Sequence, residues 1–290
     1  MKTLENRVAV ITGGTRGLGL GIAQAYAAEG ARVVIAGRSQ STIDQALSLL
    51  RTSGAQAAGI ACDVAELSQV EALGAFAVET FGKIDIWVNN AGLSAPFGPT
   101  TAIPTASFMG VVNTNIVGVY NGSMVALRYM VPRHSGKLIN LLGRGDSDKK
   151  GVIFQNAYGA SKTWIRSFTL ALAQENKDTG VGIFAFNPGL VDTDMLRHVE
   201  AISGFQQRLK ALETVIRLWA NKPDIPAQKA LWLASTATDG KTGLVVNVLT
   251  TQRILGGLFH EAARRVMGKP APDTSLDIHT IVPDRRQAES

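Results

Sequence analysis

Apolar residues along this chain fall into two alternating patterns. Short, nearly continuous apolar runs occupy residues 7–12 (RVAVIT), 31–36 (ARVVIA), 56–61 (QAAGIA), 84–89 (IDIWVN), 137–142 (KLINLL), 181–186 (VGIFAF) and 244–249 (LVVNVL). Between them, apolar positions recur at steps of three and four, as at Leu18, Ile22, Ala25 and Tyr26, or at Leu67, Val70, Leu73, Ala77 and Val78. The second spacing predicts helices with one apolar face, and the first predicts strands covered on both sides. Strands alternating with helices predict an α/β fold: a doubly wound parallel sheet of about seven strands with helices on both faces.

Two segments break the alternation. Residues 190–226 carry Met195, Leu196, Phe205, Leu209, Leu212, Val215, Ile216, Leu218 and Trp219 and read as a helical lid. Further on, Leu255, Leu258, Phe259, Ala262 and Val266 repeat at helical spacing until Lys269-Pro270, beyond which the chain reads as a loose extension. The expected organisation is one domain over 1–254 that includes the lid, then a helical extension and tail over 255–290.

Composition narrows the function classes. Hydrophobic residues at 46% and 30 glycines supply a large core and many tight turns, which excludes a disordered chain. The net charge of +6 raises the question of nucleic acid. Its small clusters, Lys149-Lys150, Arg264-Arg265 and Arg285-Arg286, lie far apart in sequence, so they read as solvated surface and no nucleic-acid partner is expected. No apolar run is long enough to span a membrane, and the first one is broken by glycine too early for a secretory leader. The single cysteine, Cys62, has no partner for an internal disulfide and reads as a buried structural thiol. Together these features predict a cytoplasmic protein with no membrane contact. His134, His198, His260 and His279 lack metal-ligand spacing, so no catalytic metal is expected.

The chemistry begins where the first strand meets Thr12-Gly-Gly-Thr-Arg-Gly-Leu-Gly19, followed at once by a helical pattern. Glycines at 13, 17 and 19 let backbone N–H groups and a helix N-terminus approach a pyrophosphate. The second strand ends in Ala36-Gly-Arg38-Ser39, with a guanidinium where a carboxylate would select a free ribose hydroxyl. Arg38 and Arg16 therefore predict NADP(H). Farther along, Tyr158 and Lys162 stand one helical turn apart, a spacing that suits a phenol and an ammonium acting as a proton-transfer couple.

Gly13, Gly17 and Gly19, Cys62-Asp-Val64, Asn89-Asn-Ala-Gly92, Tyr158-Gly-Ala-Ser-Lys162 and Asn187-Pro-Gly189 occur in this order. Together they resemble the classical short-chain dehydrogenase/reductase family over about residues 5–250. The resemblance implies a Rossmann-type fold, a nicotinamide coenzyme and a homodimer or homotetramer. It implies coenzyme contacts at Gly13, Thr15, Arg16, Gly17, Leu18, Gly19, Arg38, Asp63, Val64, Asn90, Ala91, Gly92, Tyr158, Lys162, Pro188, Gly189, Val191 and Thr193. For catalysis it implies Tyr158 as acid/base, Lys162 as the cation that favours its phenolate, and Asn115 as the residue ordering a proton-relay water. Where the family carries a serine at the end of the fifth strand, this chain has Gly143. Ser147, Arg144 or a water are the substitutes the sequence offers.

The function expected from these readings is NADPH-dependent reduction of a ketone or aldehyde on an apolar small molecule, or the reverse alcohol oxidation. Two alternatives stay open: an NADP(H)-binding regulatory or scaffold protein whose redox activity has decayed, and a non-redox cyclase or isomerase using the same pocket.

Overall fold

The computed structural model describes residues 2–147, 151–268 and 270–282. The Lys149-Lys150 and Arg285-Arg286 clusters lie outside the described residues. Strands β1 (Val8–Thr12), β2 (Arg32–Gly37), β3 (Ala57–Ala61), β4 (Ile86–Asn89), β5 (Gly136–Leu141) and β6 (Val181–Asn187) enter one parallel sheet. Strand β7 (His198–Ile202) leaves it, and β8 (Val245–Asn247) returns to complete the order β3-β2-β1-β4-β5-β6-β8. All seven apolar runs of the sequence thus become strands of the expected Rossmann-type sheet.

The alternation of side chains across the pleat divides the core in two. Ala9, Ile11, Val33, Ile35, Val88, Ile139, Phe184 and Phe186 face helices α1 (Gly17–Ala28) and α2 (Gln40–Thr52). Val10, Val34, Trp87, Leu138 and Ile183 face α3 (Leu67–Phe81), which lies on the opposite side. There the chain also forms α4 (Thr105–Val111), one wider π-type turn over Val112–Val117, α5 (Gly118–Met130) and the long α6 (Asn156–Glu175). Each fully buried aliphatic side chain contributes about 1.5–3 kcal/mol, so this double-sided burial fixes strand register and holds every β-to-α turn at one edge of the sheet.

The segment expected to be a lid starts with the short α7 (Asp194–Arg197), runs through β7 and ends in α8 (Lys210–Trp219), after which α9 (Asp224–Ala234) rejoins the body against α1. It is therefore not wholly helical, contrary to the reading from spacing. Helix α10 (Thr251–Val266) packs on α8 and leaves Leu255, Leu258, Phe259 and Val266 exposed. The tail is not loose either: β9 (Asp277–Ile281) pairs in parallel with β7, from His198 opposite Asp277 to Ile202 opposite Ile281. A two-residue alternation in HVEAI and DIHTI carries this pairing, and its apolar half packs beside Phe97 and Leu209. Among the described residues no helix is long and apolar enough to cross a membrane.

Candidate active site

Strand β1 delivers the chain into the glycine turn. Gly13 has φ +61°, and a side chain there would meet the Ala91 Cα at 2.9 Å; one at Gly19 would overlap the Gly13 carbonyl oxygen. The Asn90 side-chain amide donates to the Thr12 and Gly13 carbonyls, both at 3.0 Å, and the Thr12 hydroxyl accepts from the Asn90 and Ala91 N–H groups. The turn is thus braced from β4 while its outer backbone stays bare. That cradle, at the N-terminus of α1, fits a pyrophosphate.

A cleft of about 1400 Å³ opens beyond the turn. Every residue expected to hold the coenzyme lines it, as do Ser147, Tyr158 and Lys162. Arg38 is exposed at its rim and makes no hydrogen bond or ion pair with a described residue, whereas Arg16 reaches Asp194 at the start of the lid at 3.8 Å. Thr193 does not cap α7 with its side chain; its methyl side faces Gly17 instead. Asp63 folds back to accept from the Ala65 N–H at 3.0 Å. Cys62 is buried and its thiol is pushed up to about 11, chiefly by that burial, in keeping with a structural role.

Helix α6 presents Tyr158 and Lys162 on one face. The Lys162 ammonium, 5% exposed, donates to the Leu141 carbonyl at 3.0 Å and stands 5.4 Å from the Tyr158 ring centre. Burial pushes the phenol up to about 12, with the Asp146 charge acting in the same direction. Burial brings the ammonium down to about 8 against the opposing pull of Asp146. Loss of water therefore disfavours the phenolate in the protein alone.

Asn115 lies behind the cleft wall, fully buried in the π-type turn. Its Oδ1 accepts from the Leu93 N–H at 2.8 Å, and its amide donates to the Leu93 carbonyl and the Ser161 hydroxyl, both at 3.0 Å. Gly143 packs against Tyr158 so closely that a side chain at 143 would overlap the phenol oxygen. Ser147 is exposed and turns its hydroxyl to Asp146 at 3.3 Å.

Sequence reasoning passed over Asp146. It sits in a loop of Gly, Asp and Lys that reads as solvated, yet it is 6% exposed. Arg166, two turns along α6 from Tyr158, reaches it at 3.4 Å, while Thr163 donates to the Gly145 carbonyl at 2.7 Å. The available signal was an arginine at helical spacing from the tyrosine, facing a loop that carries two aspartates. The other side of the cleft is apolar, built by Phe97, Phe154, Leu209, Leu212, Val215 and Trp219.

Comparison with known proteins gives these features a context. A family model described as short chain dehydrogenase matches residues 7–202. Ketoacyl reductase HetN of a Nostoc species is 37% identical over 191 residues, 66% of each chain. A longer Arabidopsis thaliana protein named "Probable chlorophyll(ide) b reductase NYC1, chloroplastic" is 31% identical over 96% of this chain, which spans 57% of that protein's length. Among solved structures, an actinorhodin polyketide ketoreductase crystallised with NADPH superposes with a TM-score of 0.76 at 30% identity, over 86% of this chain and 97% of its own.

Proposed function

This chain belongs to the short-chain dehydrogenase family, and from that premise we propose that it reduces the ketone or aldehyde group of a largely apolar small molecule with NADPH, or runs the reverse alcohol oxidation. Membership makes it an oxidoreductase acting between C–OH and C=O with a nicotinamide coenzyme. The observation that carries the finer reading is the Tyr158 and Lys162 pair, set in a cleft whose other wall is apolar.

Gly13, Gly17 and Gly19 would hold the pyrophosphate, Asp63 the adenine end, Asn90 to Gly92 and Pro188 to Thr193 the nicotinamide half, and Arg38 with Arg16 a ribose phosphate. When bound, NADPH supplies a hydride to the carbonyl carbon. Tyr158 gives its proton to the carbonyl oxygen, and a phenol held near 12 is fully protonated for that step at neutral pH. Lys162 keeps positive charge beside the phenolate left behind. Asn115 acts by position: it ties the Leu93 backbone to Ser161 of α6, one residue before Lys162. Gly143 stands where the family's serine would be, and Tyr158 works as the single donor to the substrate oxygen, with Asp146 and Ser147 bordering the site. Assembly into a homodimer or homotetramer belongs to this reading, and the exposed face of α10 offers a surface for it.

The test is NADPH oxidation across a panel of apolar ketones and aldehydes, with Tyr158→Phe alongside. Turnover that drops by about 10² or more in the variant supports the reading. Unaltered turnover, or NADPH binding with no turnover on any compound, counts against it.

A further inference from the structure

The apolar half of the cleft contains a guanidinium that the reduction chemistry does not use. Arg208, on the short turn Gln206–Leu209 ahead of α8, lies in the cleft wall beside Leu209 and Leu212. Its guanidinium carbon is 5.0 Å from the ring centre of Phe154 and 5.6 Å from that of Phe205. The two rings are themselves 5.3 Å apart and tilted. Stacking on ring faces restrains the side chain but engages none of its N–H groups, which lie in the guanidinium plane. Arg208 makes no side-chain hydrogen bond or ion pair with a described residue. Its neighbours differ: Arg197 holds Asp192, Arg217 faces Glu261 and Arg166 holds Asp146. Of the carboxylates of the cleft wall, Asp146 and Asp194 face arginines of their own and Asp63 accepts from the Ala65 N–H.

The platform under Arg208 is built at a cost. Phe154 has φ +65°, a left-handed conformation that a bulky side chain rarely adopts. Its carbonyl accepts from the Gly98 N–H at 3.0 Å, and its ring rests on Phe97 at 5.4 Å between centres. Strain of this kind, held by the surrounding structure and located in a cleft wall, points to a ligand contact.

We propose that Arg208 binds a carboxylate on the substrate, so that the preferred compounds are keto acids with an apolar body rather than neutral ketones. The proposal rests on the reductase reading above. The aromatic platform restrains the guanidinium at the exposed wall of the cleft and leaves its N–H groups to form a charge-assisted hydrogen bond with a carboxylate.

The experiment compares benzoylpropionic acid with its methyl ester as substrates for the wild type, Arg208→Gln and Arg208→Lys. The wild type is expected to favour the acid in kcat/KM. Arg208→Gln is expected to reduce the acid-to-ester ratio by about ten- to hundredfold, chiefly through KM. Arg208→Lys, which keeps the charge and loses the fork, is expected to fall between the two. A ratio unchanged in Arg208→Gln overturns the proposal and leaves the reductase reading standing. If the wild type reduces neither compound, calorimetric titration of each into the NADP-loaded protein reads the same contact without chemistry. Tighter binding of the acid that disappears in Arg208→Gln then upholds the carboxylate contact, and equal binding of acid and ester overturns it.

Discussion

At the scale of single residues, the site depends on how Asp146, Gly143 and Tyr158 share a small volume. The phenol near 12 and the ammonium near 8 set opposite limits on pH. Proton donation needs protonated phenol, present up to about 12, while Lys162 carries its charge only below about 8. Reductive kcat/KM is therefore expected to stay level below about pH 8 and to fall above it. The Asp146 charge raises both groups, so Asp146→Asn should move that fall to lower pH and speed alcohol oxidation at a fixed alkaline pH. A pH–rate profile in both directions checks this, and an unmoved profile would show that the carboxylate has no influence. Gly143 yields a second expectation. A donor added near a developing oxyanion gains about 10² to 10³ in rate when the geometry allows it. Here the added side chain must displace the phenol, so Gly143→Ser should lower kcat about tenfold or more; a faster enzyme would contradict this packing. The glycine and the Tyr–Lys pair were legible in the sequence. The burial of Asp146 was not, because it depends on Arg166 and Thr163 reaching across from α6, contacts that no local pattern announces.

At the scale of elements, the seven strands and their alternating helices were readable because two-sided burial leaves continuous apolar runs. Two features were not. The π-type turn at Val112–Val117 looks like ordinary helix in sequence, yet it is where Asn115 reaches Leu93 and Ser161. Asn115→Ala leaves the Leu93 N–H and carbonyl without this partner, and is expected to cost about 1–3 kcal/mol in urea unfolding together with a loss of activity. Lost activity at undiminished stability would instead favour the water-ordering role implied by the family resemblance. The second missed feature is the β7–β9 pair. Each strand is short and half polar, and β7 lies among residues whose spacing reads as helix, so neither strand stands out until its partner is known.

At the scale of the whole molecule, the lid is held from two directions. Phe97 bonds to β7 through the Glu200 carbonyl at 2.8 Å and the Ile202 N–H at 2.9 Å, while β9 pairs along the length of the same strand. Arg197 adds contacts to the Ser275 and Asp273 carbonyls. His279→Pro removes a ladder donor and is expected to loosen this clasp. KM for the carbonyl compound should rise several-fold while NADPH affinity, set by the glycine turn and β2, stays the same; fluorescence titration and steady-state kinetics separate the two. Equal changes in both would place the clasp in general stability rather than in substrate capture.

The clasp also bears on the order in which the molecule can be assembled. The proposed coenzyme contacts end at Thr193, but β7 finds its partner strand about 80 residues downstream, a separation that makes the pairing slow to close. During synthesis the nucleotide half can form while the lid still lacks its second strand. A nascent chain would then retain coenzyme before it could enclose a substrate, and catalytic competence would arrive only once β9 had been made.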